Sequence, residues 1–224
     1  MNGFHGNIML QRMVDALIVQ TGVTSFVETG THYADTASHV AFGHPELQVF
    51  TCEIDEKYYA ASVDNLQQYK HVRLFKESSE KFVARLVAEN ALGDLPMFFL
   101  DAHWYDYWPL PDEILAIAQL PKFLVLVDDF MVPGQPQFET SNGGGGTIGV
   151  HRTKQDNRPC SMDLIGPLLP HGCKSVYPAY GKKEAYGRTD VPHLVGHVFI
   201  LKGISGIDDL QADPLYTWAE IRNG

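Results

Sequence analysis

The stretch FVETGTHYADT, residues 26–36, sets the architecture. With Ser25 it begins as SFVE, which reads as a short buried strand over residues 25–28. TGTHYADT follows, rich in turn formers, and a helix is predicted from near Tyr33. The same unit recurs downstream. LQVFTCEI (47–54) reads as a strand, Glu56 to Gln68 as a helix, HVRLF (71–75) as a strand, and Glu77 to Asn90 as a helix with Phe82 and Leu86 inward. MFFLD (97–101) and KFLVLVDD (122–129) complete five strands. Strands that are apolar along their length need cover on both faces, and alternation with helices requires parallel crossovers.

Upstream, Met9, Met13, Ala16 and Leu17 recur at helical spacing and predict an amphipathic helix over residues 7–20. Downstream, SMDLIGPLL (161–169) predicts a helix, while KSVYPAY (174–180) and LVGHVFILKG (194–203) predict two closing strands paired like a hairpin. The expected fold is therefore α/β: a doubly wound seven-stranded sheet, mostly parallel with an antiparallel final strand, and helices on both faces. Its 224 residues suit one domain over 1–224. Prolines and four consecutive glycines break the pattern at 131–160, where a loop over the active site is expected.

Composition narrows the function. A formal net charge of −10 at pH 7 disfavours a broad phosphate-binding surface, so no nucleic-acid partner is expected. The longest apolar runs fall well short of the roughly 20 residues that cross a bilayer. The start, MNGFHGNIMLQRMVD, lacks the basic and apolar regions of a secretory signal, so a cytoplasmic location is expected. Cys52, Cys160 and Cys173 are an odd, scattered set, better suited to reduced thiols than to a disulfide framework.

Carboxylates gather where predicted strands stop. Glu28 ends the first strand just before Gly30, Glu53 and Asp55 end the second, Asp101 the fourth, and Asp128 with Asp129 the fifth. In a doubly wound sheet this is the crevice where ligands bind. Singly, each acidic residue reads better as a helix cap; their recurrence is what weighs against that. Gly30 allows close backbone approach, and its turn offers amide donors to an anionic group. Glu53 lies near the spacing of about 20 residues at which an acidic side chain meets ribose hydroxyls. Nicotinamide cofactors use that spacing too, but their G-x-G-x-x-G fingerprint needs further glycines where this turn has His32 and Ala34.

FVETGTHYADT resembles the first motif of class I S-adenosylmethionine-dependent methyltransferases, with Ala34 in the place of the second glycine. TCEID resembles the second motif and LFKESSEKF the third. The pairing of FFLDAHWYDYW with LVLVDDFMVPG is similar to the metal-binding segments of catechol-type O-methyltransferases and, more loosely, of sugar and macrolide O-methyltransferases. The likeness covers about residues 24–134. It implies a Rossmann-like sheet and S-adenosylmethionine bound by Glu28, Thr29, Gly30, Thr31, Thr36, Glu53, Ile54, Glu77, Ser78 and Asp101. Glu53 would meet the ribose, with Glu77 and Ser78 beside the adenine. It also implies a divalent metal, Mg2+ first, at Asp101, Asp128 and Asp129, and a hydroxyl acceptor on a small molecule or sugar.

Elementary electrostatics agrees on the metal: converging carboxylates repel unless a cation neutralises them, and oxygen ligands favour hard ions. Capping or pairing with arginine is the plainer reading of Asp128. The resembled enzymes carry a lysine shortly after the first metal aspartate, and this chain does not. His103, Tyr105 and Asp106 are the candidate catalytic residues there, His103 first, because an imidazole of ordinary pKa about 6.5 accepts a proton near neutrality. His193 and His197 flank the last predicted strand and read better as structural histidines. A nicotinamide-dependent oxidoreductase, or a non-catalytic cofactor-binding regulator, are the rival readings. A homodimer is compatible with the sequence.

Overall fold

The computed structural model describes residues 3–102, 108–138, 160–191 and 194–221. Asn7 starts the first helix, α1 (Ile8–Thr21), by accepting from the amides of Met9 and Leu10. This is how a short polar side chain satisfies the first free donors of a helix. Its buried stripe, Met9, Leu10, Met13, Val14, Leu17 and Ile18, follows the helical period and packs on the core. Gly22 closes it in the left-handed conformation at φ 72°.

The strand and helix units then alternate: β1 (Ser25–Thr29), α2 (Asp35–Gly43), β2 (Gln48–Cys52), α3 (Glu56–Leu66), β3 (Val72–Phe75), α4 (Ser79–Ala88), β4 (Pro96–Leu100), α5 (Leu110–Ile117) and β5 (Phe123–Val127). Every residue of β1, β4 and β5 is buried, as a strand covered on both faces requires. Pairing is parallel from β3 through β2, β1 and β4 to β5. The expected strands and the helices α1 to α4 all form, with ends within a few residues of the sequence reading.

The C-terminal part adds α6 (Met162–Ile165) with a short 3-10 turn after it, β6 (Lys174–Pro178), α7 (Lys182–Tyr186), β7 (Val198–Lys202), α8 (Asp208–Gln211) and β8 (Tyr216–Glu220). Among the described residues the sheet has eight strands, in the order β3-β2-β1-β4-β5-β7-β6-β8. Strand β7 runs antiparallel between β5 and β6, and β6 pairs antiparallel with β8. The antiparallel pair β6–β7 agrees with the sequence; the eighth strand corrects the expected seven. In β8 only Tyr216 is buried, so this edge strand carries no apolar run by which to recognise it.

Successive side chains of β1 leave the sheet on opposite faces, as the strand period demands. Glu28 points towards Ala37 of α2, and Thr29 towards the Ser79 and Glu113 of α4 and α5. The carboxyl ends of β1, β2, β4 and β5 therefore form one rim between two helical layers. Among the described residues, no helix is long and apolar enough to cross a membrane.

Candidate functional site

On the β1–β2 side of the rim, Glu28 and Thr51 are register partners on adjacent strands. The Thr51 hydroxyl donates to Glu28 Oε2 at 2.5 Å and lies 2.5 Å from the Thr31 hydroxyl. Burial pushes the Glu28 carboxyl up to about 8; the Thr51 hydrogen bond opposes this and the Asp101 charge adds to it. Glu53 is 8% exposed, and its carboxylate accepts three backbone amides: Ile54 and Asp55 at Oε1, both 2.9 Å, and His32 at Oε2, 2.8 Å. It thereby ties the turn after β1 to the turn after β2. Each carboxylate oxygen takes about two donors, so Oε2 retains capacity for one more. Asp55 caps α3 through the amides of Lys57 and Tyr58 and faces away from this task.

The turn itself differs from an open cradle of amides. Gly30 and Thr31 both donate to Cys52 O at 3.1 Å, and Ala34 donates to Thr31 O at 2.7 Å. Gly30 sits at φ 83°, where an added Cβ would stand 3.2 Å from Asp101 O and Ala102 Cα. This glycine lets β1 approach the end of β4. His32 and Ala34 occupy the left-handed region at φ 51° and 63° without being glycine. The turn keeps a glycine-type backbone while its side chains depart from the motif. Left-handed backbone costs an L-residue roughly 1–2 kcal/mol each.

On the β4–β5 side, Asp101 and Asp128 follow the ends of adjacent strands, joined by the Asp128 amide donating to Leu100 O at 3.2 Å. The imidazole between them comes from the segment before α1. His5 Nε2 lies 3.0 Å from Asp128 Oδ2 and 3.5 Å from Asp101 Oδ2. The charge of Asp128, then hydrogen bonds to Asp101 and Asp128, drive its pKa far above the ordinary imidazole value. One ligand atom from each of His5, Asp101 and Asp128 falls within 4.8 Å of the others. Asp129, expected with Asp101 and Asp128, is not one of these three residues. Its backbone is left-handed at φ 52°, and it lines a neighbouring cavity.

His5 is held by its neighbour. Phe4 is fully buried, with its ring edge-on to Phe26, His39 and Phe99 at 5.2–6.4 Å between centroids, and its amide donates to Thr36 Oγ1 at 2.9 Å. Phe4 and His5 are both left-handed, at φ 53° and 55°. Burial of the Phe4 ring offsets the cost of these two left-handed residues and holds the turn in place.

The cavity beside the trio, about 10 Å3, is lined by Asp101, Asp128, Asp129, Trp108 and Glu113. Glu113 is fully buried, and among the described residues neither of its oxygens meets a hydrogen-bond partner. Burial lifts its pKa to about 8; the Ser79 and Thr29 hydroxyls beside it partly offset this, although neither makes a hydrogen bond of good geometry. An orphaned carboxyl in a space of one water's volume is the kind of group an ordered water satisfies.

Other expected site residues are engaged as follows. Thr36 receives the Phe4 amide. Glu77 pairs with Arg85 at 2.7 Å, and the Ser78 hydroxyl donates to Glu80 at 2.7 Å. Thr29 lies on the Glu113 face, and Ile54 is exposed beside Glu53. His103, Tyr105 and Asp106 lie outside the described residues, as do His193 and most of the 131–160 loop. His197 is buried, with Nε2 3.3 Å from the Tyr180 hydroxyl, and burial lowers its pKa to about 4, which suits a structural histidine. Sequence reasoning missed His5 and Glu113. The glycines flanking Phe4 and His5 in GFHG were the available signal for a special turn.

No family model matches the sequence, and no curated protein does. Solved structures do match. One is an O-methyltransferase from Bacillus cereus solved with S-adenosylhomocysteine, 14% identical, covering 87% of this chain and 81% of its own, with a TM-score of 0.56. A Staphylococcus aureus protein assigned as a caffeoyl-CoA O-methyltransferase is 14% identical, covering 87% and 83%, with a TM-score of 0.54. The chain has the class I methyltransferase fold. A spermidine synthase from Thermotoga maritima is also similar, 12% identical over 96% of this chain and 67% of its own, with a TM-score of 0.52. This fold thus hosts more than one chemistry, and the residues of the rim decide which one the chain performs.

Proposed function

We propose that this protein transfers a methyl group from S-adenosylmethionine to a hydroxyl oxygen of a small molecule or sugar, with a divalent cation assisting. The observation that carries this reading is the placement of Glu28 and Glu53 at one end of a single rim and of Asp101 and Asp128 at the other. Bound there, the cofactor supplies a methyl already activated by its sulfonium, so the protein's task is to align an oxygen and ease loss of its proton.

Glu53 fits the nucleoside, because its carboxylate is fixed by three backbone amides and Oε2 retains one accepting position for a ribose hydroxyl. Glu28 lies beneath the same turn. Asp101 and Asp128 fit a cation, since two carboxylates at adjacent strand ends gather around one positive group, His5. A divalent ion at this position supplies charge that lowers the cost of deprotonating an acceptor hydroxyl. The segment after Asp101, with His103, Tyr105 and Asp106, is assigned the acceptor's proton and orientation. The protein is proposed to work in the cytoplasm, without nucleic-acid or membrane partners.

The nicotinamide alternative draws less support, since His32 and Ala34 stand where its glycine fingerprint would be, and β7 breaks the all-parallel order of that fold. The test is transfer of isotopically labelled methyl from S-adenosylmethionine to a panel of catechols, phenols and sugars, with and without chelator. Labelled product that falls on chelation supports the reading. Cofactor binding without transfer to any acceptor favours a regulatory protein, and labelled product indifferent to chelator removes the metal.

A further inference from the structure

We propose that His5 is a direct ligand of the divalent cation, releasing its imidazolium proton to solvent as the ion takes that proton's place, so that the site is one imidazole and two carboxylates, from His5, Asp101 and Asp128, and selects a first-row transition metal over magnesium. This rests on the reading of Asp101 and Asp128 as cation ligands and changes its donor set and its metal.

The spacing is the first argument. Ligand atoms about 2.0–2.2 Å from one ion, at roughly 90–110° to each other, stand about 3.0–3.5 Å apart. His5 Nε2 is 3.0 Å from Asp128 Oδ2 and 3.5 Å from Asp101 Oδ2, so the imidazole already occupies the position of a neighbouring ligand. Asp129, next in sequence to Asp128, offers no atom to this group.

How the imidazole is delivered is the second. Phe4 is fully buried, the Gln11 side chain holds Gly3 O at 2.8 Å, and a Cβ on Gly3 would strike His39 at 2.5 Å. The turn that presents His5 is therefore fixed from both sides, which pre-organises the ligand before any ion arrives.

The adjoining cavity is the third. Glu113 is fully buried, with both oxygens unsatisfied among the described residues, and it shares that cavity with Asp101 and Asp128. The space admits one water, which would serve Glu113 and the open side of the cation site together. Mixed nitrogen and oxygen donors favour manganese, iron, cobalt, nickel or zinc, whereas all-oxygen sets suit magnesium and calcium.

The probe is Mn2+ itself, titrated into the whole chain and followed by loss of the free-ion electron paramagnetic resonance signal. Pulsed measurements on the bound ion report nitrogen coupling. The wild-type protein should bind one Mn2+ at least tenfold tighter than Mg2+ competes for it, and show imidazole nitrogen modulation. His5→Ala, a half-exposed position, should fold normally, weaken Mn2+ binding at least tenfold and lose the modulation. Unchanged affinity in His5→Ala, or modulation that persists in it, overturns the proposal while leaving the carboxylate cation site standing. Absence of Mn2+ binding in the wild type overturns both.

Discussion

Glu53, at the end of β2, accepts the amide of His32 at 2.8 Å and so locks the turn after β1 to the turn after β2. Because the same carboxylate also takes the amides of Ile54 and Asp55, removing it takes a charged acceptor from three part-buried donors at once. Glu53→Ala should therefore lose about 2–4 kcal/mol of stability in urea unfolding, apart from any effect on ligand binding. A loss under about 0.5 kcal/mol, the range of a neutral surface change, would show that the two turns hold without it.

Gly30 is where β1 comes against β4. With φ at 83° and an added Cβ only 3.2 Å from the Asp101 carbonyl, Gly30→Ala combines backbone strain with a steric push on a rim residue. The expected cost is about 1–3 kcal/mol in thermal or urea unfolding. Wild-type stability in the variant would mean that the turn relaxes freely.

Phe4→Ala should cost about 3–5 kcal/mol if the ring is a core residue in the ordinary sense. The sharper readout is hydrogen exchange: the amides of Met9 and Leu10, capped by Asn7 next to this turn, should exchange faster than those of β4. Equal protection in variant and wild type would show that the segment before α1 does not depend on this anchor.

Glu113 gives a pH signature. Its folded pKa is raised to about 8 by burial, so the folded protein binds a proton that the unfolded chain has released. Its contribution is fully present below the unfolded carboxyl pKa of about 4.3 and is lost as pH rises towards about 8. Glu113→Gln does not titrate, so its Tm relative to wild type should climb between pH 5 and pH 8 by a few degrees or more, about 2–4 °C for each kcal/mol. Glu28, raised in the same direction, is present in both proteins and cancels in the difference. Parallel Tm curves would contradict a protonated Glu113.

Much of the scaffold was legible because its information is local. PMFFL and FLVLV are apolar throughout, SFVET has an apolar centre, all three are buried throughout, and an acidic residue stands at or just after the end of each. What was hidden depends on contacts between distant segments. His5 reaches Asp128 through a left-handed turn that leaves no periodic trace in the sequence. The pair Asp128–Asp129 looks equivalent on paper, yet adjacent residues at a strand end leave it in different directions, and Asp128 is the one grouped with Asp101 and His5. Strand β8 was missed because YTWAE at a sheet edge buries a single side chain. Glu113 sits in a helix whose pattern gives no reason to expect a carboxyl facing inward.

The central claim is that the rim at Glu28 and Glu53 holds an adenosyl nucleoside. Calorimetric titration of wild type and Glu53→Gln with S-adenosylhomocysteine, and of wild type with NAD, tests it most directly. The account expects saturable S-adenosylhomocysteine binding to the wild type, at least tenfold weaker binding to Glu53→Gln, and none of comparable affinity for NAD. Equal affinity of the two proteins for S-adenosylhomocysteine, or binding of NAD alone, would contradict it.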